Sequence, residues 1–134
     1  MLAKIFIDTN IVIYSLGQNS AKASLAAPLF AQRPTISTQV LSETANVALK
    51  KLALPVADTS KLLAMLEATC QVEMITPVTI QRGLDIVARY GFSWFDSLII
   101  AAALDAECAT LYTEDLQHGQ IIEGKLTVIN PFIH

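Results

Sequence analysis

The chain has 134 residues, enough to bury a substantial core without disulfide or metal staples, and reads as one domain over 1–134. Hydrophobic residues make up 53% and charged residues 16%, a balance that excludes a disordered or fibrous chain. The formal charge is −3, so no basic excess announces a nucleic-acid partner.

Lys4 to Ile7 is a short apolar run ending at Asp8 and predicts a buried strand. The opening MLAKIFID meets that carboxylate before any signal-peptide hydrophobic region forms. Asn10 to Leu16 predicts a helix capped by Thr9 or Asn10 and closed near Gly17. Ala21 to Gln32 is rich in Ala and Leu and predicts another helix, with Pro28 marking a break or kink. Thr35 and Ile36 form a minimal strand after Pro34, and Ser37 or Thr38 caps a helix through about Leu52. Pro55 and Asp58 open a helix to about Cys70; Val72 to Ile75 is a third strand. Val78 to Tyr90 is then helical up to Gly91.

Ser93 starts a helix that continues to about Glu107. Its segment Leu98 to Leu104 is the longest dense apolar run, far short of the roughly 20 residues of a membrane span. Thr110 to Tyr112 is a fourth strand, and Leu126 to Ile129 a last one before Asn130 and Pro131. Strands alternating with helices predict three α/β/α layers around a central parallel sheet of about five strands. Cys70 and Cys108 lack CxxC or other paired spacing and read as small core residues of a reducing cytoplasm.

Four acids stand out against this order. In open parallel sheets, ligands bind beyond the carboxyl ends of the strands. Asp8 directly follows the first strand and Asp115 lies just beyond the fourth. Asp96 falls in the first turn of the helix after Ser93, and Glu43 one turn after Gln39. Each acid also has a plain structural explanation. Asp8, Thr9 and Asn10 all suit helix capping. Ser93 and Asp96 have the spacing of a capping box. Yet the helix behind Asp96 is apolar on every face, and a carboxylate at a buried helix end is costly unless it is paired or bound. At about 100° per residue, Leu41, Ala45, Ala48 and Leu52 share one face while Gln39, Glu43, Asn46 and Lys50 share the other. A solvated helix face explains that pattern with no chemistry. The joint placement carries the case, not any single acid.

These residues resemble the PIN domain family, and within it the VapC-type toxins of bacterial toxin–antitoxin pairs. The matching segments are IFIDTNIVIY (Ile5 to Tyr14), STQVLSETANVALK (Ser37 to Lys50), FSWFDSLIIAAAL (Phe92 to Leu104) and LYTEDLQHG (Leu111 to Gly119). The resemblance implies a PIN-like α/β/α fold and an Mg2+- or Mn2+-dependent endoribonuclease leaving 5′-phosphate and 3′-hydroxyl ends. It further implies a homodimer and inhibition by a cognate VapB-like antitoxin. The family's acids fall on Asp8, Glu43, Asp96 and Asp115, with Thr9, Asn10 and Thr113 as supporting polar neighbours. Glu114 departs from the pattern by adding an acid beside Asp115, and is a candidate to share or replace the role of Asp115. The family's frequent Asp-Phe a few residues later is absent, and Leu116-Gln117-His118-Gly119 stands there instead.

Hard oxygen ligands suit Mg2+ or Mn2+, and four crowded carboxylates repel one another without cations. Setting the four aside leaves eight acids against nine Lys and Arg, so the remaining surface is close to neutral and compatible with RNA. Lys50, Lys51, Arg82 and Arg89 are candidates for phosphate contact, although soluble surface is the preferred reading for each. Trp94 and Phe95 are placed in the core rather than against bases, and His118 in an exposed loop; His134 is uninformative. Two other classes compete. One is a PIN-fold nucleic-acid-binding module without turnover or toxicity. The other is a phosphoryl-transfer or receiver-type domain, which wants a second acid where Asn10 stands and a better-placed lysine than Lys125.

Overall fold

The computed structural model describes residues 3–17 and 20–133; His134 lies outside them. Among these residues, six strands form one sheet: β1 (Ile5–Ile7), β2 (Thr35–Ser37), β3 (Gln71–Glu73), β4 (Thr110–Tyr112), β5 (Ile121–Ile122) and β6 (Leu126–Ile129). Their order is β3-β2-β1-β4-β6-β5. All neighbours run parallel except β5 and β6. The expected parallel sheet of about five strands is therefore present, with a sixth, antiparallel strand added at its edge.

That extra strand escapes sequence reading for a local reason. Ile121 and Ile122 are too short for a periodic signal. The turn joining them to β6 uses Glu123 (φ 54°) and Gly124 (φ 64°), both left-handed, and the Lys125 N–H donates to the Ile122 carbonyl. Tight hairpin turns of this kind usually announce themselves by Asn-Gly or Asp-Gly. Glu-Gly does not.

Among the described residues, six helices cover the sheet: α1 (Thr9–Leu16), α2 (Ser20–Ala26), α3 (Thr38–Lys50), α4 (Val56–Thr69), α5 (Pro77–Tyr90) and α6 (Trp94–Asp105). Together with the mostly parallel sheet they make the three-layer α/β/α arrangement. The long helix expected over Ala21 to Gln32 is two pieces. α2 stops at Ala26, and Ala27–Gln32 continues as a 3-10 helix with Pro28 in its first turn, where the missing N–H costs nothing. The cap of α1 is Asp8 rather than Thr9 or Asn10, because the chain turns helical immediately after β1 and both of those residues are already inside the helix. Ser37 caps α3, which ends at Lys50, so Leu52 lies beyond the helix and is exposed. The face of α3 turned to the core is Val40, Thr44 and Ala48.

The core explains the even apolarity of α6. Ser97 to Ala103 are all buried, because this helix packs on the sheet at β2 on one side and against α5 on the other. The α5–α6 crossing is close at Gly83, where an added Cβ would stand 3.1 Å from the Trp94 ring. A glycine there lets α5 seat against the first turn of α6, which carries Asp96. β1 is buried along its whole length, as expected of a strand covered on both faces. Cys70 and Cys108 are buried and free, in agreement with their reading as core residues. No single helix among the described residues is long and apolar enough to cross a membrane.

Candidate metal centre

The sheet order reverses between β1 and β4, since β2 follows β1 on one side and β4 flanks it on the other. Such a switch point opens a crevice at the strand carboxyl ends. Asp8 leaves β1 into that crevice, and Thr113, Glu114 and Asp115 leave β4 beside it. The Asp8 N–H donates to the Tyr112 carbonyl at 3.1 Å, which ties the two strand ends together. Asp96 arrives from the first turn of α6, whose N-terminus is capped by the Ser93 side chain accepting from the Asp96 N–H. One carboxylate oxygen from each of Asp8, Asp96 and Asp115 lies within 4.8 Å of the other two.

Asp8 is buried and held at both oxygens. Oδ1 accepts from the Thr9 N–H at 2.6 Å, and Oδ2 accepts from the Thr113 hydroxyl at 2.8 Å. Burial pushes its pKa up from 3.8 to about 6; those two hydrogen bonds work against the shift, and the charges of Asp115 and Glu43 work with it. Asp115 is also raised, by desolvation first and then by the Asp96 and Glu114 charges, while the Asn10 amide donating at 2.7 Å holds it down. The Thr113 hydroxyl in turn accepts from the Asp115 N–H, so one threonine orients two of the three acids.

Glu43 stands next to this trio rather than within it. Its Oε2 accepts from the Thr9 hydroxyl at 2.9 Å and its Oε1 from the Gln39 amide at 2.7 Å. The solvated-face explanation therefore does not describe Glu43, which is half-buried and tied to α1. Gln39 also donates to the Phe95 carbonyl at 3.2 Å and so links α3 to the start of α6. The one sequence trace of this link is the helical i, i+4 spacing of Gln39 and Glu43.

Glu114 faces a different set of groups. Its oxygens accept from the Tyr14 hydroxyl at 2.5 Å and from Lys22 at 2.9 Å. Lys22 also lies 4.2 Å from the centre of the Tyr14 ring, and Tyr14 meets Phe132 edge to face. Burial opposes ionisation of Glu114, but the Tyr14 hydroxyl and the Lys22 ammonium hold its pKa below the ordinary value. Nothing in the sequence signals the pairing of Tyr14 and Lys22 with Glu114, which brings together residues far apart in the chain.

The remaining candidates separate clearly. Arg82 pairs with Asp105 and Arg89 with Glu123, both at 2.6 Å, so neither is a free phosphate ligand. His118 is exposed, as expected, and its Nδ1 accepts from the Asn130 N–H. Phe95 departs from its expected core position: it is 65% exposed, in the first turn of α6 directly before Asp96 and ahead of the buried stretch Ser97 to Ala103. Trp94 is half-buried against Gly83.

The comparisons with known proteins agree with this architecture. Several solved structures share the fold, three of them as follows. The VapC20 toxin of Mycobacterium tuberculosis, described as cleaving the sarcin-ricin loop, matches at a TM-score of 0.68 and 20% identity, covering 84% of this chain and 90% of that one. A toxin–antitoxin complex from Klebsiella pneumoniae matches at 0.71 and 20%, covering 96% and 98%. FitAcB from Neisseria gonorrhoeae matches at 0.62 and 18%, covering 96% and 98%. Among curated proteins no sequence matches significantly. The model of the PIN domain matches residues 5–122, and the chain belongs to the PIN domain family.

Proposed function

We propose that residues 1–134 form a single PIN domain that hydrolyses RNA phosphodiester bonds with Mg2+ or Mn2+, as the toxin of a VapBC-type pair. The observation that carries this reading is the convergence of Asp8, Asp96 and Asp115 from three separate elements onto one point. The donor set is oxygen only, which suits a hard cation and disfavours a soft one. A buried carboxylate whose pKa is raised to about 6 is a group that a cation would stabilise in its charged form. In this reading Asp8, Asp96 and Asp115 ligate the ion, and Glu43 completes the site directly or through a water. A divalent ion held there supplies Lewis acidity toward the phosphate and lowers the pKa of water.

The protein's own part is to orient these ligands. Thr113 and the Thr9 N–H aim the Asp8 carboxylate, Asn10 aims Asp115, and Thr9 with Gln39 aims Glu43. Outer hydrogen bonds of this kind commonly matter about 10–100-fold for metal affinity or activity. Glu114 supports the site without ligating, since Tyr14 and Lys22 occupy both of its oxygens. Glu114→Gln is therefore expected to change Mn2+ affinity by no more than about threefold, whereas Asp115→Asn lowers it by about tenfold or more. Calorimetric titration of the two variants checks this, and equal losses would make Glu114 a ligand.

The reading is tested by incubating the purified protein with mixed cellular RNA in Mn2+, in Mg2+ and in chelator. Cleavage is expected in the two metals and none in chelator; RNA left intact in all three would leave a PIN-fold binding module without turnover. Likeness to a toxin–antitoxin complex supports a VapB-like antitoxin partner, and a homodimer belongs to the same proposed reading. Expression alone is then expected to arrest growth, with rescue by a small protein encoded alongside. Harmless expression of an active nuclease would remove the toxin assignment.

A further inference from the structure

Beside the acid cluster, a groove of about 680 Å3 runs between α1 and α3. It begins at Thr9, Asn10 and Glu43, which belong to the metal centre, and continues past Ser42, Asn46 and Val47 to Lys51. Its volume lies in the range of ordinary ligand pockets, roughly 300–1,000 Å3. Ser42 and Asn46 are exposed, and Lys51 forms no ion pair among the described residues. At the other end of α3, Gln39 reaches across to the Phe95 carbonyl and fixes that backbone beside the acids, with the Phe95 ring turned to solvent. An exposed aromatic, the acid cluster, neutral hydrogen-bonding groups and a cation are thus set beside or on α3, the first two contributed by other elements.

On the reading of the chain as a metal-dependent ribonuclease, we propose that α3 is the rail along which an unpaired RNA strand lies. A base on one side of the cut stacks on Phe95, the strand on the other side follows the α1–α3 groove past Ser42 and Asn46, and a phosphate there meets Lys51. Each element matches a need of single-stranded RNA. Bases offer a π-face to aromatic side chains whatever their identity. Unpaired bases expose edges that an asparagine or serine can reach, whereas a duplex hides them. A cation about two helical turns from Glu43 meets the backbone well outside the negative field of the acids.

The test uses Asp8→Asn protein, which should bind RNA without cutting it, and a short fluorescein-labelled single-stranded RNA of randomised sequence. Phe95→Ala in that chain is expected to weaken binding by about tenfold, with Phe95→Trp restoring it. Lys51→Ala is expected to lower the slope of log affinity against log salt by about one, while Lys61→Ala on the exposed surface of α4 changes neither quantity. In otherwise unaltered protein, Asn46→Ala is expected to shift the positions at which RNA is cut and to leave Mn2+ affinity unchanged. Unchanged binding in Phe95→Ala, or the same salt slope in Lys51→Ala and Lys61→Ala, would overturn the rail. The nuclease reading would survive that result if the unaltered protein still cleaves RNA with metal. Absence of both cleavage and binding in the unaltered protein would remove the two together.

Discussion

Asp8→Asn and Asp96→Asn are each expected to lower metal-dependent RNA cleavage by about three orders of magnitude or more, with the fold retained. The amide keeps the shape of the side chain but removes one negative charge from a site where, on the proposed reading, three carboxylate oxygens share a cation. A lost metal ligand removes several kcal/mol of transition-state stabilisation, and about 1.4 kcal/mol is a factor of ten in rate. Neither change should unfold the chain. At position 8 the amide oxygen still accepts from the Thr9 N–H, and the Thr113 hydroxyl can turn to accept from the new NH2 group. At position 96 the N3 site of α6 loses only its attraction to the helix dipole, about 0.3–1 kcal/mol. Single-turnover assays at saturating Mn2+, paired with circular dichroism, measure both quantities. Undiminished cleavage by the two variants would assign the activity to a contaminating nuclease.

The second large effect is on stability, and it runs against the first. Asp8 has an ordinary pKa of 3.8 and a folded value of about 6. Between those values the folded chain binds more protons than the unfolded one, so stability falls as the pH rises through the window. Above about 6 the cost is fully present, and for a shift of this size it reaches at most roughly 3 kcal/mol. Asp115 shifts in the same direction and adds to the effect. Chelated protein is therefore expected to melt higher at pH 5 than at pH 7.5. At pH 7.5 in chelator, Asp8→Asn is expected to melt about 5 °C or more above the unaltered chain. Mg2+ should narrow that gap by stabilising the folded, charged site. Thermal melts over pH with and without Mg2+ decide it; a flat profile in chelator would show that Asp8 carries no such burden.

These two expected effects together describe the candidate site as a local conflict. Three carboxylates meet at one point, and hydrogen bonds from Thr9, Asn10 and Thr113 hold Asp8 and Asp115 there. The surrounding core meets the cost. α6 is buried from Ser97 to Ala103, and β1 is buried along its length. The acids thus sit at the ends of elements whose positions are set by apolar packing rather than by the acids themselves.

Much of this was legible in the chain read residue by residue. The alternation of strands and helices, the apolar helix behind Asp96, and the place of Asp8 and Asp115 just after strands all follow from local pattern, because hydrophobic periodicity and caps are local signals. Asp8, Asp96 and the Thr113-Glu114-Asp115 turn were therefore candidates before any contact was known. Their convergence was not a local property. It depends on the order β3-β2-β1-β4-β6-β5, which places β1 against β4 across more than a hundred residues of sequence. The same holds for the two neighbouring acids at 114 and 115. Sequence gives them equal standing, and only the packing of Tyr14 and Lys22 draws Glu114 away while Asn10 holds Asp115 at the crevice. Element type was written in the spacing of apolar residues; which carboxylates meet was decided by long-range strand pairing, since no short-range interaction reports on where a distant strand will lie.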